Sequence, residues 1–288
     1  MSAGAPARYG VPMGIRNNAL GLAAVMLACL VPAFASSQAI VSTGQSFLEA
    51  DLVAGAPLPE GGRIAGLDLS MEDGWKTYWR SPGETGVPPV FDWSGSRNLR
   101  SVEVLWPTPE LFESFGMQTV GYSHFVVLPL VLEPEDASKP IDLKLKATLG
   151  VCSDLCVVEE FSLARSFAPD EAEAEDRVTR SVDAVPGGAS DAGLSEASCR
   201  IRGAGASRDF EARLRFARDF TAPVVLVEGP ESVWIGTTET SVEGRELAIR
   251  AKVEMFDESA WIERSDLRLT VLDGPFSADI QGCATPSG

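Results

Sequence analysis

Two cysteines lie close together in the middle of the chain, with only Ser153, Asp154 and Leu155 between Cys152 and Cys156. In an extended strand, residues four apart are separated by about 13 Å, whereas a disulfide requires Cα atoms within about 7 Å. A bond between these cysteines therefore requires the chain to reverse at the three intervening residues. An accessible disulfide in such a small ring is of the labile kind that exchanges with other thiols.

The flanking segments predict the two strands of a hairpin. Residues 141–151 alternate between apolar and polar side chains, which places Cys152 on the face opposite the apolar row. On the returning strand, Cys156 is likewise opposite an apolar row. Both sulfurs are therefore expected to leave the core face near the end of the hairpin. The alternative is that this disulfide is a small structural staple.

Cys199 and Cys283 lie in the C-terminal part of the chain. Cys29 lies in the predicted signal peptide, so four cysteines remain after cleavage and allow three connectivities. The domain boundaries favour Cys152–Cys156 and Cys199–Cys283. The second pair brackets the C-terminal domain, so we interpret it as a structural disulfide.

The rest of the chain consists mainly of short strand patterns. Alternating runs from Phe47 to Phe167, separated by turn signals, predict a β-sandwich. Pro129 interrupts one of these runs, which indicates an edge strand or a bulge. A second alternating set begins near Ser198 and predicts another, smaller all-β domain.

The segment between the two β patterns differs in composition. Residues 169–185 are rich in Ala, Glu and Asp and predict a short exposed helix, and residues 186–190 resemble a flexible linker. The predicted boundaries are 1–35 for a signal peptide, 44–168 for the first β domain, 169–196 for the helix and linker, and 197–288 for the second β domain.

The N-terminus and the overall charge restrict the possible functions. Arg8 and Arg16 precede an apolar run that ends in Ala33-Phe34-Ala35, a pattern typical of a cleaved secretory signal, with an uncleaved anchor as the alternative. The secretory signal predicts export to an oxidising compartment, where disulfides can persist. No later segment is long and apolar enough to span a membrane. The net charge of −17 argues against binding nucleic acid or anionic lipid.

Several blocks, in the same order, resemble the N-terminal periplasmic domain of the DsbD thiol:disulfide interchange proteins, and especially the ScsB-like, copper-tolerance branch. The resemblance covers approximately residues 47–167. The matching blocks are Gly74–Gly83 (GWKTYWRSPG), Pro88–Trp93 (PPVFDW), Val104–Pro107 (VLWP), Gly121-Tyr122 and the Cys152/Cys156 pair.

This resemblance implies an immunoglobulin-like sandwich located in the periplasm that relays electrons without a cofactor. In the family, a cysteine pair accepts reducing equivalents from a membrane-embedded partner. It passes them through mixed disulfides to periplasmic thioredoxin-like proteins, including factors of cytochrome c maturation. By position, Cys156 would form the mixed disulfide and Cys152 would resolve it.

The resemblance also implies a cap loop that shields the disulfide between encounters. Residues 113–118 match this loop, with Phe115 as the shielding ring and Phe112 as a weaker candidate. Tyr78 and Trp79 match aromatic positions near the family's site.

The chain departs from the family pattern in the short spacing of its cysteines and in having neither a membrane region nor a thioredoxin-like Cys-x-x-Cys domain. The membrane electron-transfer protein is therefore expected to be a separate chain. Two other hypotheses stay open. One is a copper-binding protein that uses Cys152, Cys156 and Met117 as soft ligands, and the other is an interaction module in which both disulfides are structural.

Overall fold

The computed structural model of the chain describes residues 46–114, 116–257 and 261–285. The predicted signal peptide, residues 1–35, and the predicted shielding residue Phe115 lie outside the described residues.

The N-terminal domain is built from antiparallel strands. They are β1 (Leu48–Pro57), β2 (Arg63–Met71), β3 (Lys76–Gly83), β4 (Val90–Asp92), β5 (Ser101–Val104), β6 (Glu110–Ser114), β7 (Met117–Ser123), β8 (Phe125–Glu133), β9 (Ile141–Cys152) and β10 (Cys156–Phe167). One sheet has the order β1-β2-β8-β5. The other has the order β10-β9-β3-β7-β6, with β4 paired to β9.

The apolar faces of these two sheets form one core. Leu67 and Leu69 on β2 and Leu143 and Leu145 on β9 are each at most 1% exposed. Burying a side chain of this size contributes about 1.5–3 kcal/mol relative to leaving it in water. The alternation read from the sequence therefore identifies the buried face, and the predicted sandwich is confirmed.

Pro129 lies in an interior strand, so the expectation of an edge strand was wrong. β8 lies between β2 and β5, and Pro129 is opposite Gly66 of β2. β5 ends at Val104, and the N–H of Leu105 donates to the Pro129 carbonyl at 2.8 Å. The proline is tolerated because the donor it lacks would point to the side where the neighbouring strand has just ended.

A short helix, α1 (Asp176–Asp183), follows the sandwich at the position where the sequence predicts one. The helix is not fully exposed, because Val178 is 1% exposed and packs against Val53 and Val127 on the outer face of the β1-β2-β8-β5 sheet. No helix within the described residues is long and apolar enough to cross a membrane.

The C-terminal domain is a second, smaller sandwich. Its strands are β11 (Gly187–Gly188), β12 (Leu194–Arg202), β13 (Ser207–Phe216), β14 (Val224–Glu228), β15 (Val233–Ile235), β16 (Glu239–Glu243), β17 (Glu246–Met255), β18 (Arg268–Asp273) and β19 (Phe276–Gln281). The two sheets have the orders β11-β19-β18-β14 and β12-β13-β17-β15, with β16 also paired to β17. The all-β class predicted from the sequence, an immunoglobulin-like sandwich followed by a smaller β domain, is confirmed.

The glycine-rich segment expected to be a linker is part of this second domain. Gly187 and Gly188 form β11, which pairs in parallel with Ala278 and Asp279 of β19. The carbonyl of Ala184 just before it accepts a 2.8 Å hydrogen bond from the backbone N–H of residue 108 in the first domain. The connection between the two domains is therefore short, and hydrogen bonds hold it at both ends. The glycine pair suggested a flexible linker, but two glycines also fit at the edge of a sheet.

Cys199 and Cys283 form a disulfide, with Cα atoms 5.7 Å apart and a sequence separation of 84. Cys199 lies on β12 and is 0% exposed, whereas Cys283 follows β19, which belongs to the other sheet. Ala284, the residue after Cys283, pairs with β12 through its backbone, so the disulfide ties the segment that follows β19 to β12 and closes most of the domain into one loop.

Replacing both Cys199 and Cys283 by alanine is expected to lower the free energy of unfolding by about 4–5 kcal/mol, since a closed loop with a sequence separation of 84 restricts the unfolded chain strongly. The matched control is the double alanine variant of Cys152 and Cys156. Its separation of only 4 corresponds to about 2 kcal/mol. Urea denaturation of the oxidised proteins measures both values, and equal losses would contradict this interpretation.

Candidate functional site

Cys152 and Cys156 are directly opposite each other at the end of the β9–β10 ladder. Their Cα atoms are 4.1 Å apart and their sulfurs are bonded. Within the three-residue loop, the N–H of Ser153 donates to the carbonyl of Leu155 at 2.9 Å. The structure thus contains the chain reversal that the cysteine spacing requires.

The two cysteines differ in exposure. Cys152 is 4% exposed, whereas Cys156 is exposed. Both leave the core face as expected, because Val151 occupies the adjacent core position. The expectation that both sulfurs are accessible needs correction for Cys152, because a side chain from the neighbouring strand covers it.

That covering side chain is Tyr78 on β3. Its hydroxyl oxygen lies 2.8 Å from Sγ of Cys152 and 3.6 Å from Sγ of Cys156. A disulfide sulfur carries no hydrogen, so the tyrosine hydroxyl is the donor. Burial raises the pKa of Tyr78 above its ordinary value near 10, since the charged phenolate would lose hydration there. The hydroxyl therefore keeps its proton at neutral pH.

The Tyr78 ring is held between two glycines. A Cβ atom on Gly150 would lie 2.8 and 2.9 Å from Cε2 and Cδ2 of the ring, and one on Gly86 would lie 2.7 and 2.9 Å from Cδ1 and Cε1. Real Cβ atoms do not approach so closely, so any side chain at these positions would displace the ring. The two glycines allow the backbone to enclose the tyrosine on both edges.

Trp79, which the family resemblance placed near the site together with Tyr78, has a different location. Successive side chains on a strand point to opposite faces, and Trp79 is 0% exposed within the core between the two sheets. Among the hydrogen bonds and ring contacts of the described residues, none joins Trp79 to either sulfur. The structure therefore brings Tyr78, and not Trp79, to the disulfide.

The described residues of the segment predicted as the cap include the end of β6 and the start of β7, two strands that pair as a hairpin. Ser123 of β7 is opposite Lys76, and Thr119 is opposite Gly83, so the hairpin tip lies beyond the Gly83 end of β3. Cys152 is opposite Lys76, at the other end of β3.

Phe112, the weaker candidate from the sequence, is connected to the site strand. The ammonium of Lys76 lies 4.6 Å from the centre of the Phe112 ring, and Lys76 is the residue opposite Cys152. Phe112 therefore contacts the strand beside the disulfide through Lys76.

Several exposed apolar side chains lie on the β9–β10 hairpin and on the segment that pairs with β9. Leu155 is 57% and Val158 63% exposed, and on the neighbouring segment Val87 is 50% and Val90 59% exposed. Val158 is opposite Gly150, and Val90 is opposite Thr148, two positions further along β9. We call Val87, Val90, Leu155 and Val158 the apolar rim.

The sequence analysis missed the apolar rim. Val158 could have been found, because it has the same parity as Cys156 and therefore the same face of β10. Val87 and Val90 could not have been found, because only the pairing of β4 with β9 places them there.

No structural observation on the described residues favours a copper site. Met117 pairs with Ser114 at the tip of the β6–β7 hairpin, away from the Lys76 end where Cys152 lies. The described ranges contain no group of three or more His, Cys, Asp or Glu side chains that could hold a metal ion.

The fold and the site define a class of protein. The protein has two β domains, and one disulfide is enclosed by the C-terminal domain. The other disulfide lies at the end of the β9–β10 hairpin, where Cys156 is exposed and Cys152 is covered. The open disulfide has the features of a thiol-exchange centre, since a visiting thiolate can reach one sulfur while the other is positioned to leave.

Comparison with known families agrees with this class. Residues 45–167 match the family described as the N-terminal part of the thiol:disulfide interchange protein DsbD, and residues 184–286 match a domain of unknown function, DUF8393. The N-terminal domain therefore belongs to the DsbD N-terminal family, which is a family of thiol:disulfide interchange proteins.

Among solved structures, the chain is similar to the N-terminal periplasmic domain of ScsB from Proteus mirabilis. The TM-score is 0.67 at 23% sequence identity, and the match covers 86% of this chain and 98% of that chain. The likeness therefore shows a shared fold that extends over both β domains. No curated protein sequence matches the chain.

Replacing Gly150 by alanine is expected to lower the free energy of unfolding by about 1–3 kcal/mol, because the new methyl group would overlap the Tyr78 ring. Urea denaturation measures the change. Gly95 is a matched control, since a Cβ there would meet only the Lys144 side chain, at 3.4 Å or more. If both variants had the same stability, the ring would not be enclosed as described.

Proposed function

We propose that this protein exchanges thiols and disulfides in the periplasm through Cys152 and Cys156. In this proposal it accepts two electrons from a membrane electron-transfer protein carried by another chain. It then passes them to thioredoxin-like partners, of which cytochrome c maturation factors are one class. The observation that carries the proposal is the pairing of an exposed Cys156 with a covered Cys152 whose sulfur faces the Tyr78 hydroxyl.

The proposed reaction begins when a thiolate of a reduced partner attacks Sγ of Cys156. A bond forms between the partner sulfur and Cys156, the Cys152–Cys156 bond breaks, and the electron pair leaves on Cys152. Attack on Cys156 is favoured because Cys152 is 4% exposed. The leaving thiolate of Cys152 is stabilised by the Tyr78 hydroxyl, which lies 2.8 Å away in the oxidised form.

In the second step, the partner's other thiol loses its proton and attacks the partner sulfur of the mixed disulfide. The partner then holds a disulfide, Cys156 is released as a thiolate, and the two thiolates of the pair take up two protons. The same steps in reverse transfer the two electrons to an oxidised thioredoxin-like acceptor, with Cys156 as the attacking sulfur and Cys152 as the resolving one.

The apolar rim supports the docking of folded partners. A partner that brings a sulfur into line with Cys156 must cover Leu155 and Val158, which are 57% and 63% exposed. Removing such side chains from water favours association by about 25 cal/mol per Å² of apolar surface. Because the rim is small, it suits brief encounters better than a permanent complex.

The cysteine variants test the proposal. In a Cys152→Ala variant, Cys156 is free and exposed, so this variant is expected to form a stable mixed disulfide with an oxidised thioredoxin-like protein. The matched Cys156→Ala variant is expected to form at least tenfold less adduct, since the remaining Cys152 is covered by Tyr78. Non-reducing gel electrophoresis and mass spectrometry quantify the adducts.

Two results would count against the exchange function. One is the absence of any adduct with Cys152→Ala under conditions where free thiol is measured on Cys156. The other is a reduction potential of the wild-type pair below about −300 mV, which is typical of inert structural disulfides.

Tyr78→Phe tests the proposed role of the hydroxyl. This change keeps the ring but removes the donor, so reduction of the pair by a dithiol is expected to be about 10- to 100-fold slower, the value of a hydrogen bond to a charged group. Since burial raises the pKa of Tyr78, the difference should persist from pH 7 to above pH 10.

The matched control for this variant is Tyr122→Phe, which removes a hydroxyl that donates to the Pro107 carbonyl at 2.8 Å in the same domain. That change is expected to alter stability and not the exchange rate. Equal rates for Tyr78→Phe and the wild-type protein would remove the hydroxyl from the mechanism.

A further inference from the structure

Arg80 joins the strand of the exchange site to the C-terminal domain. It lies on β3, two residues after Tyr78, and its side chain is 11% exposed. Its Nε donates to Oε1 of Glu228 at 3.0 Å and its Nη2 donates to Oε2 of the same carboxylate at 2.9 Å. Nη2 also lies 3.1 Å from Oγ1 of Thr270 and 3.2 Å from Oδ2 of Asp279. These partners come from β14, β18 and β19, three adjacent strands of one sheet.

The charges around Arg80 are balanced within a half-buried cluster. Glu228 and Asp279 are 18% and 13% exposed, and Asp279 also accepts from Nε of Arg268 at 2.7 Å. The guanidinium of Arg80 lies 3.9 Å from the centre of the Trp79 ring. The two hydrogen bonds from Arg80 to the Glu228 carboxylate fix both the distance and the orientation of the guanidinium.

The backbone between Tyr78 and Gly83 lacks the support of a regular ladder. β7 pairs with β3 at Tyr78 and next at Gly83, with a register shift between them. β9 pairs with β3 only at Lys76 and Thr77. Tyr78 is therefore the last regularly paired residue before an irregular stretch, and the side chain of Arg80 is what ties that stretch to a neighbouring sheet.

A second contact holds the other end of this stretch. The hydroxyl of Thr237 in the C-terminal domain donates to Oε1 of Glu84 at 2.8 Å. The backbone N–H of Glu84 in turn donates to the carbonyl of Gln118 on β7 at 3.2 Å. The C-terminal domain thus contacts the irregular segment near both of its ends.

We propose that the C-terminal domain is a positioning element of the exchange site, and that Arg80 is the positioning residue through which it holds Tyr78 against Cys152. This inference rests on the proposed exchange function and gives the C-terminal domain a role in it. Arg80 touches neither sulfur in this proposal. It keeps β3 in the conformation that directs the Tyr78 hydroxyl to the leaving sulfur.

A double-mutant cycle between Arg80 and Tyr78 tests this proposal. The rate of reduction of the Cys152–Cys156 bond by dithiothreitol is measured by quenched thiol labelling and peptide mass spectrometry, which separates this bond from Cys199–Cys283. Arg80→Ala is expected to slow reduction at least fivefold when Tyr78 is present. In the Tyr78→Phe background the same change is expected to slow reduction less than twofold, because there is no hydroxyl left to misplace.

Two further variants complete the experiment. Arg97→Ala is the matched control and should be reduced at the wild-type rate. The Arg97 side chain is 80% exposed, and its ion pair among the described residues is with Asp142 of the same domain. Glu228→Gln keeps the shape of the partner but removes its charge. It is expected to slow reduction in the same direction as Arg80→Ala, and it provides the test if Arg80→Ala does not fold.

The possible outcomes separate this inference from the proposed function. A loss of stability alone would lower the urea midpoint and change the rate by the same factor in both backgrounds, which would overturn the positioning role. Wild-type rates for folded Arg80→Ala and Glu228→Gln would also overturn it, while the exchange function would stand. If the Cys152→Ala variant formed no mixed disulfide with an oxidised thioredoxin-like protein, the proposed function itself would fail first.

Discussion

The site depends on one constraint, which is the direct opposition of two cysteines at the last pair of an antiparallel ladder. The Cα atoms of Cys152 and Cys156 are 4.1 Å apart because β9 reverses into β10 within three residues. The register of the whole ladder, from Ile141 opposite Phe167 to the cysteines, holds that pair in place. Alternation along these strands places the bond on the outer face of the sheet while the opposite face fills the core.

The neighbouring strand makes the two sulfurs chemically different. Tyr78 reaches across from β3, covers Cys152 and directs its hydroxyl at that sulfur, while Cys156 stays exposed. The ring keeps this position because Gly86 and Gly150 leave space for it on both edges. One sulfur is thus accessible and the other has a hydrogen-bond donor beside it, and the proposed exchange relies on this difference.

The second domain contains a disulfide of the opposite kind. Cys199 is 0% exposed, and its bond to Cys283 joins β12 to the C-terminal segment across a separation of 84 residues. This bond restricts the unfolded chain, whereas the small ring at Cys152 does so far less. Under the proposed function, the same chain therefore carries a stabilising disulfide and an exchangeable one. The ion-pair cluster around Arg80 connects the domain that contains the Cys199–Cys283 disulfide to β3, the strand that carries Tyr78.

The features that depend on local spacing could be predicted from the amino-acid sequence. The cysteine separation required a chain reversal, alternation identified the buried faces of β2 and β9, and the domain boundaries favoured the disulfide pairing that the structure contains. The covering of Cys152 by Tyr78 and the contact of Arg80 with the other domain became visible only in the folded chain. The tertiary structure also showed that Pro129 lies in an interior strand. These features depend on which strand lies beside which, and that is set by contacts between residues far apart in the chain, on which local periodicity carries no information.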